Sequence, residues 1–335
     1  MANEQPGTRH DNPIKAVVAG LADRVTGRQN KLEDLAPTTR LDGYTALVTG
    51  ANSGLGKSVA IGLARQGARV LMACRGGHPE AGEEVRAESG NRTVEMLKID
   101  LADLRSVEKL LGELQARDEH LDIVVPNAGI MPRQSRRTEQ GLELMFGVNY
   151  LGHYMLLEGL LERGLIRSSS RVEARPRIVI VSSEAHRTGH VDLDCLGEYV
   201  EYGMRDGMKQ YAHTKLLLCT YATTLAQRLQ PDIAVHSMCP GPVRSNITRE
   251  SPDWAKPLLL PVTALLFNAP ERAALPVLHL ASSPELEQQT GLYYHMATPK
   301  AVSDWANSSD NGQRLATESR KLLDQLRGSD VSRAQ

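Results

Sequence analysis

Tyr211 and Lys215 stand four residues apart, one turn of a helix, so a phenol and an ammonium would project from one face. A phenol that titrates near ~10 transfers protons poorly at neutral pH. A cation beside it favours the phenolate, so Lys215 is expected to lower the Tyr211 pKa. The same spacing also occurs on ordinary amphipathic surface helices. The pair carries weight only if other groups converge on it.

A second chemical signal is the string Thr49-Gly50-Ala51-Asn52-Ser53-Gly54-Leu55-Gly56. Glycines suit a backbone that must turn with positive φ or close on a pyrophosphate, with the next helix N-terminus holding the anion. Gly56-Lys57-Ser58 invites a triphosphate-loop reading, but that loop needs glycine at position 51, where Ala51 stands. Further on, Ala73-Cys74-Arg75 offers no acid for a ribose 2′-hydroxyl. A basic Arg75 suits a 2′-phosphate instead, which points to NADP(H); a solvated arginine at a strand end is the plainer alternative. His186, His190 and His213 lack metal-ligand spacing, and no metal site is expected.

The elements that must position these residues alternate from residue 45 onward. Short apolar strands are predicted over 45–49, 69–73, 94–99, 123–125, 178–181, 234–237 and 292–295. Helices are predicted over 57–66, 80–89, 104–117, 150–162 and 211–229. That alternation predicts an α/β fold: one doubly wound parallel sheet of about seven strands, a Rossmann fold. Residues 1–40 read as a separate helical extension, with Ile14, Val17, Val18, Leu21 and Val25 at helical spacing. Residues 41–335 read as one catalytic domain. The interval between Ser183 and Tyr211 is polar and is expected to be an inserted loop near the site.

Bulk composition removes several function classes. Thirty-nine basic residues against 40 acidic ones, without like-charged blocks, argue against nucleic acid as a partner. Two phenylalanines make a base-stacking platform implausible. There is no signal pattern and no apolar run of membrane-spanning length, so neither secretion nor a transmembrane segment is expected. Cys74, Cys195, Cys219 and Cys239 are scattered and read as reduced thiols in a cytoplasmic protein.

Taken in order, the motifs resemble the short-chain dehydrogenase/reductase family. Thr49-Gly50-x-x-x-Gly54-x-Gly56 is similar to its cofactor turn, and Asp100-Leu101 to the acidic pair that contacts adenine. Asn127-Ala128-Gly129 resembles its sheet-stabilising Asn-Ala-Gly, preceded here by Pro126 where many members have Asn. Asn149, Ser183, Tyr211 and Lys215 match its catalytic tetrad. Pro240-Gly241-Pro242-Val243-Arg244-Ser245 resembles the nicotinamide-side loop, with Ser245 for the usual threonine. Details such as Asn149-Tyr150-Leu151-Gly152-His153 resemble the retinol-dehydrogenase-like branch, whose frequent membrane anchor has no counterpart here.

The resemblance implies hydride transfer between NADP(H) and the carbonyl or alcohol of a hydrophobic small molecule. Tyr211 would exchange the proton, and Ser183 rather than Ser182 would hydrogen-bond the carbonyl oxygen. Lys215 would also hold the nicotinamide ribose, and Asn149 would join Lys215 to solvent through a water. Gly50, Asn52, Ser53, Gly54, Leu55, Gly56, Arg75, Asp100, Leu101, Asn127, Ala128, Gly129, Pro240, Gly241, Val243 and Ser245 would line the cofactor. A substrate lid is implied around 250–270, where Leu258-Leu259-Leu260 and Leu265-Leu266-Phe267 give an apolar stretch that could equally be a core-facing helix. Family members often dimerise through the helices matching 150–162 and 211–229. The insertion and the extension could block that face, so monomer and homodimer both stay open. Two other functions remain: a dinucleotide sensor without turnover, and a nucleotide-sugar epimerase or dehydratase.

Overall fold

The computed structural model of the chain describes residues 38–168, 174–203, 206–243 and 268–333. The apolar stripe of the N-terminal extension, the expected lid and Ser245 lie outside the described residues.

The sheet contains β1 (Thr45–Thr49), β2 (Arg69–Cys74), β3 (Val94–Lys98), β4 (Ile123–Val125), β5 (Arg177–Val181), β6 (Ala234–Cys239), β7 (Tyr293–His295) and β8 (Thr298–Lys300). Its order is β3-β2-β1-β4-β5-β6-β7-β8. The first seven run parallel, and β8 pairs antiparallel with β7. The eighth strand corrects the expectation of about seven. It is only Thr-Pro-Lys, too short to show alternation, and is reached by a tight turn in which Met296 has φ 52°. Central strands such as Val70–Ala73 are apolar without alternation because both faces are covered.

The flanking helices are α1 (Gly54–Arg65), α2 (Glu80–Ser89), α3 (Leu104–Ala116), α4 (Gly152–Glu162), α5 (Gly207–Arg228), α6 (Pro270–Ser282) and α7 (Ser309–Arg333). Apolar residues of α1, α2 and α6 form the core on one face with Val48, Val70 and Met72. Those of α3, α4 and α5 form the other with Leu47, Leu71 and Ile180. The chain builds outward from β1 to β3, then returns to place β4 on the other side of β1. Loops at the carboxyl ends of β1 and β4 therefore part, leaving the crevice where such sheets bind ligands.

Several stretches differ from the sequence expectation, among them α6, for which no helix was expected. Helix α5 begins at Gly207, so Tyr211 sits inside it rather than opening it. The expected loop after Ser183 carries 3₁₀ turns at Glu184–Thr188 and Leu193–Cys195. Helix α7 was not anticipated. Its sequence is mostly polar, yet it buries Leu315 and Leu323 in the core cluster of α4 and α5. Ser319 hydrogen-bonds the Tyr150 hydroxyl at 2.7 Å, and Arg320 lies near Glu158, which also holds the Tyr221 hydroxyl at 2.8 Å. Both α7 and the first part of the insertion before Tyr211 lie against α5, one of the helices expected to carry a dimer: Leu315 and Leu323 pack on it, and a Cβ on Gly189 would lie 2.5 Å from the Ala212 carbonyl oxygen. No helix among the described residues is long and apolar enough to cross a membrane.

Candidate active site

The glycine turn joins β1 to α1 at the crevice. Gly50 has φ +65°, and a Cβ there would lie 3.0 Å from Ala128 Cα. A Cβ on Gly56 would lie 2.4 Å from Asn127 Nδ2 and 2.5 Å from the Gly50 carbonyl oxygen. Side chains at these positions are excluded by backbone closeness. Leu55 and Gly56 are buried, whereas Asn52, Ser53 and Gly54 reach the surface of the turn. Ser53, at the N-cap of α1, makes no side-chain cap bond, leaving the leading amides of the helix for an anion. The turn therefore fits a dinucleotide pyrophosphate. Beneath it, burial pushes the Cys74 thiol up to about 11 against the pull of the Ala51 and Asn52 amides.

Thr49 is the junction under that turn. Its hydroxyl oxygen accepts from the Asn127 amide at 2.9 Å and the Ala128 amide at 3.0 Å. With both lone pairs engaged, its own proton goes to His153 Nε2 at 2.9 Å. His153 is then neutral with its proton on Nδ1, facing the Asn149 carbonyl at 3.4 Å. Burial, the dominant cause, pulls its pKa down to about 4. Asn127 in turn donates from Nδ2 to the Thr49 carbonyl at 2.8 Å, so it clamps β1 to the end of β4.

At the strand ends, Arg75 is exposed just beyond β2. Asp100 accepts the Ala102 amide at 3.0 Å, and its own amide donates to Ser106 at 2.8 Å. A Cβ on Gly152 would lie 2.4 Å from the Leu101 carbonyl oxygen, so that turn is locked against the start of α4.

Opposite the glycine turn stand the proton-transfer candidates. Ser183 follows β5; its hydroxyl accepts the Ala185 amide at 3.2 Å and stands by the Tyr211 phenol, whose ionised form it favours. Ser182 faces away, bonded to the Lys215 carbonyl at 3.2 Å and the Cys219 thiol at 3.0 Å. Lys215 is 3% exposed, donates from Nζ to the Val181 carbonyl at 3.1 Å, and sits 5.6 Å from the Tyr211 ring centroid. Burial pulls the Lys215 pKa down to about 8. The expected lowering of Tyr211 is corrected: burial pushes it up to about 12, with only the Ser183 hydrogen bond pulling the other way. The ammonium lies over the ring and donates to a backbone carbonyl, so the attraction assumed from helical spacing does not reach the phenolic oxygen.

Asn149 is wholly buried in a π-helical turn, Gly147–Leu151, that widens the backbone before α4. Its side chain accepts the Ile130 amide at 2.8 Å and donates to the Ile130 carbonyl at 3.0 Å and to Thr214 at 3.2 Å. Asn149 Oδ1 and Lys215 Nζ both flank Gly129, within 3.5 and 3.7 Å of where a Cβ would stand. After β6, Gly241 has φ +72° and passes so near Met296 that a Cβ would lie 2.8 Å from its sulfur. Val243 bridges to Asn268, whose amide donates to the Pro242 carbonyl at 2.8 Å. This ties the Pro240 loop toward β7.

Comparison with known proteins agrees with this geometry. A short chain dehydrogenase family model matches residues 44–197. Retinol dehydrogenase 13 of Mus musculus is 34% identical over 84% of this chain and 84% of its own length. The chain belongs to the short-chain dehydrogenase/reductase family. It is an oxidoreductase of the retinol-dehydrogenase-like branch that transfers a hydride between nicotinamide and an alcohol or carbonyl carbon. A Mycobacterium Paratuberculosis structure is 26% identical with TM-score 0.67, covering 86% of this chain and 96% of its own. A Beutenbergia cavernae structure with NADP bound at low occupancy is 26% identical with TM-score 0.56, covering 77% and 96%.

In this dehydrogenase/reductase the sequence reading missed a polar cluster beside Ser183. The Glu184 carboxylate meets the Tyr293 hydroxyl at 2.8 Å, Arg187 at 3.0 Å, His295 Nδ1 at 3.4 Å and Lys300 at 3.8 Å. Burial raises its pKa, but His295 and Arg187 together hold it well below the usual carboxylate range. His186, noted earlier only as lacking metal-ligand spacing, is fully buried. Its Nε2 accepts the Ser303 amide at 3.1 Å, so the proton is on Nδ1 and donates to the Ser183 carbonyl at 2.8 Å. Apart from Arg187 and Ser183, these partners lie more than a hundred residues along the chain, beyond any local spacing signal.

Proposed function

We propose that this protein is an NADP(H)-dependent reductase of hydrophobic ketones or aldehydes, working in the cytoplasm. The observation that carries the reading is the convergence of Ser183 and Lys215 on a half-buried Tyr211, whose phenol is pushed up by desolvation and stays protonated at neutral pH. A phenol held in its acid form is poised to give a proton to the oxygen of a carbonyl as that oxygen becomes an alkoxide. Ser183 hydrogen-bonds the same oxygen and stabilises its developing charge. Lys215 supplies a positive charge beneath the phenol, and Asn149 holds the Ile130 backbone next to Gly129. The hydride would come from NADPH held in the crevice. Gly50, Gly54 and Gly56 would let the backbone close on its pyrophosphate, and Arg75 would meet the 2′-phosphate. The name of the mouse relative and the leucine-rich sequence of 254–267 favour an apolar substrate.

The test is consumption of NADPH with a panel of bulky ketones, aldehydes and quinones. Wild type is expected to turn over at least one. Tyr211→Phe should lose at least about 100-fold in rate while still binding NADPH. Equal inertness of both forms, with NADPH still bound, would replace this reading by that of a dinucleotide sensor.

A further inference from the structure

We propose that Lys98 is a second cation for the ribose 2′-phosphate and, with Arg75, sets selectivity for the phosphorylated dinucleotide. The inference rests on the NADP(H) reading above and adds to it a residue from a different strand.

The sheet register places Lys98, last residue of β3, abreast of Cys74, last residue of β2 and the neighbour of Arg75. Met96, two residues earlier and on the same face, packs against α2, where a Cβ on Gly82 would lie 2.9 Å from its Cγ. Lys98 continues that face to the open carboxyl end of the sheet. There Nζ donates to the Arg75 carbonyl at 2.5 Å. An ammonium has three donors, so two remain for an anion.

The surroundings form a shelf. Gly76 follows Arg75, and a Cβ there would have nothing within 4 Å. Gly77, with φ +84°, passes the glycine turn closely enough that a Cβ would lie 3.1 Å from Asn52 Cβ. Two cations and the surface of the pyrophosphate turn thus border a patch that no side chain among the described residues fills.

Charge pairing supports the assignment. Of the cations on this half of the sheet, Lys57 is matched to Glu84 and Glu88, Arg69 to Glu95 and Glu119, and Arg117 to Glu95 and Glu113, whereas Arg65 and Arg86 donate to backbone carbonyls. Among the described residues neither Arg75 nor Lys98 is paired with a carboxylate. A phosphate dianion between them gains charge-assisted hydrogen bonds from both, whereas a 2′-hydroxyl gains little from the ammonium.

The experiment is calorimetric titration of the full chain with adenosine 2′,5′-bisphosphate and with 5′-AMP. Its readout is the ratio of the two affinities, independent of turnover. Wild type should favour the bisphosphate. The ratio should fall about tenfold in Lys98→Met, further in Lys98→Glu, and recover in Lys98→Arg. Were Lys98 only a strut for the Arg75 backbone, both ligands would weaken alike and the ratio would hold, which overturns the inference. A ratio lost in Arg75→Asp but kept in both Lys98→Met and Lys98→Glu overturns it while leaving the NADP(H) reading intact. A wild-type ratio near one defeats the reading and this inference together.

Discussion

The two sides of the crevice are held by different means. On the cofactor side, β1, α1 and the end of β4 close through backbone: Gly50, Gly56, Thr49 and Asn127 meet at distances that exclude a Cβ or consume every lone pair. On the substrate side, Ser183 is flanked by Glu184 and His186, whose side chains reach across to Tyr293 of β7, Lys300 of β8 and the Ser303 amide beyond them. Backbone closeness tolerates one residue type and leaves a spacing in the sequence. Side-chain networks can be assembled from many residue types at any separation and leave none.

The largest expected effect tests the backbone side. Gly56→Ala places a methyl 2.4 Å from Asn127 Nδ2 and 2.5 Å from the Gly50 oxygen. Dinucleotide affinity should fall by more than about 100-fold, with a lower Tm. Gly76→Ala meets nothing within 4 Å and should keep the wild-type Tm, so the pair separates closeness from glycine content. Fluorescence titration with NADPH and calorimetric melting read both. Equal behaviour of the two variants would break the contrast.

Next comes Lys215→Met, which should lower turnover by roughly 100-fold yet raise stability at neutral pH. The folded pKa of about 8 lies below the ordinary 10.5. Below pH 8 both states are protonated, and the folded state bears the whole cost of a buried ammonium. Between 8 and 10.5 only the unfolded chain holds the proton, so this group makes stability rise with pH until the cost is gone. The variant should melt roughly 2–4 °C higher than wild type at pH 7, with the gap closing toward pH 10.5. A gap that widens with pH would contradict the burial account.

Glu184→Gln tests the side-chain network. It keeps an acceptor for Tyr293 but removes the charge facing Arg187, His295 and Lys300. A fall of about tenfold in kcat, with NADPH affinity unchanged, is expected because Ser183 is the next residue. Glu184 is held well below the usual carboxylate range, so its contribution is present above its unfolded pKa and is lost as pH falls through the folded one. Loss of NADPH affinity instead would show that the two sides are not separable.

Legibility in the sequence followed the same division. The glycine turn, Tyr211, Lys215, Ser183 and the strands were readable because each rests on local spacing or on an apolar run. The role of His153 was not, since its meaning depends on Thr49 having no free lone pair. Helix α7 was missed because its mainly polar sequence hides two buried leucines and a hydrogen bond from Ser319 back to Tyr150. The pKa of Tyr211 was misjudged because spacing gives the neighbour but not where its charge points: desolvation pushes the phenol up, while the Lys215 ammonium turns to the Val181 carbonyl. The side-chain placement of Asn149 depends on a π-helical turn that no periodicity announced.

The smallest expected effect concerns a histidine on neither side of the crevice. His236 lies within β6, is 1% exposed, and has no hydrogen-bond partner on either ring nitrogen among the described residues. Burial pulls its pKa down to about 3, beside about 4 for His153 and His186. As pH falls below the ordinary 6.5, the unfolded chain takes up these protons and the folded one does not. Stability therefore declines from pH 6.5 toward 4 and flattens once the folded histidines also titrate. His153 and His186 each offset their burial with two hydrogen bonds that tie the site, whereas His236 carries the cost of two unsatisfied nitrogens. His236→Leu should thus gain about 1 kcal/mol at pH 7 and decline less steeply in acid, with turnover unchanged. His153→Leu should also soften the acid slope but lose activity. Urea unfolding at pH 7 and pH 5 distinguishes them, and a His236→Leu variant less stable than wild type at pH 7 would show that the ring's packing outweighs its unsatisfied nitrogens.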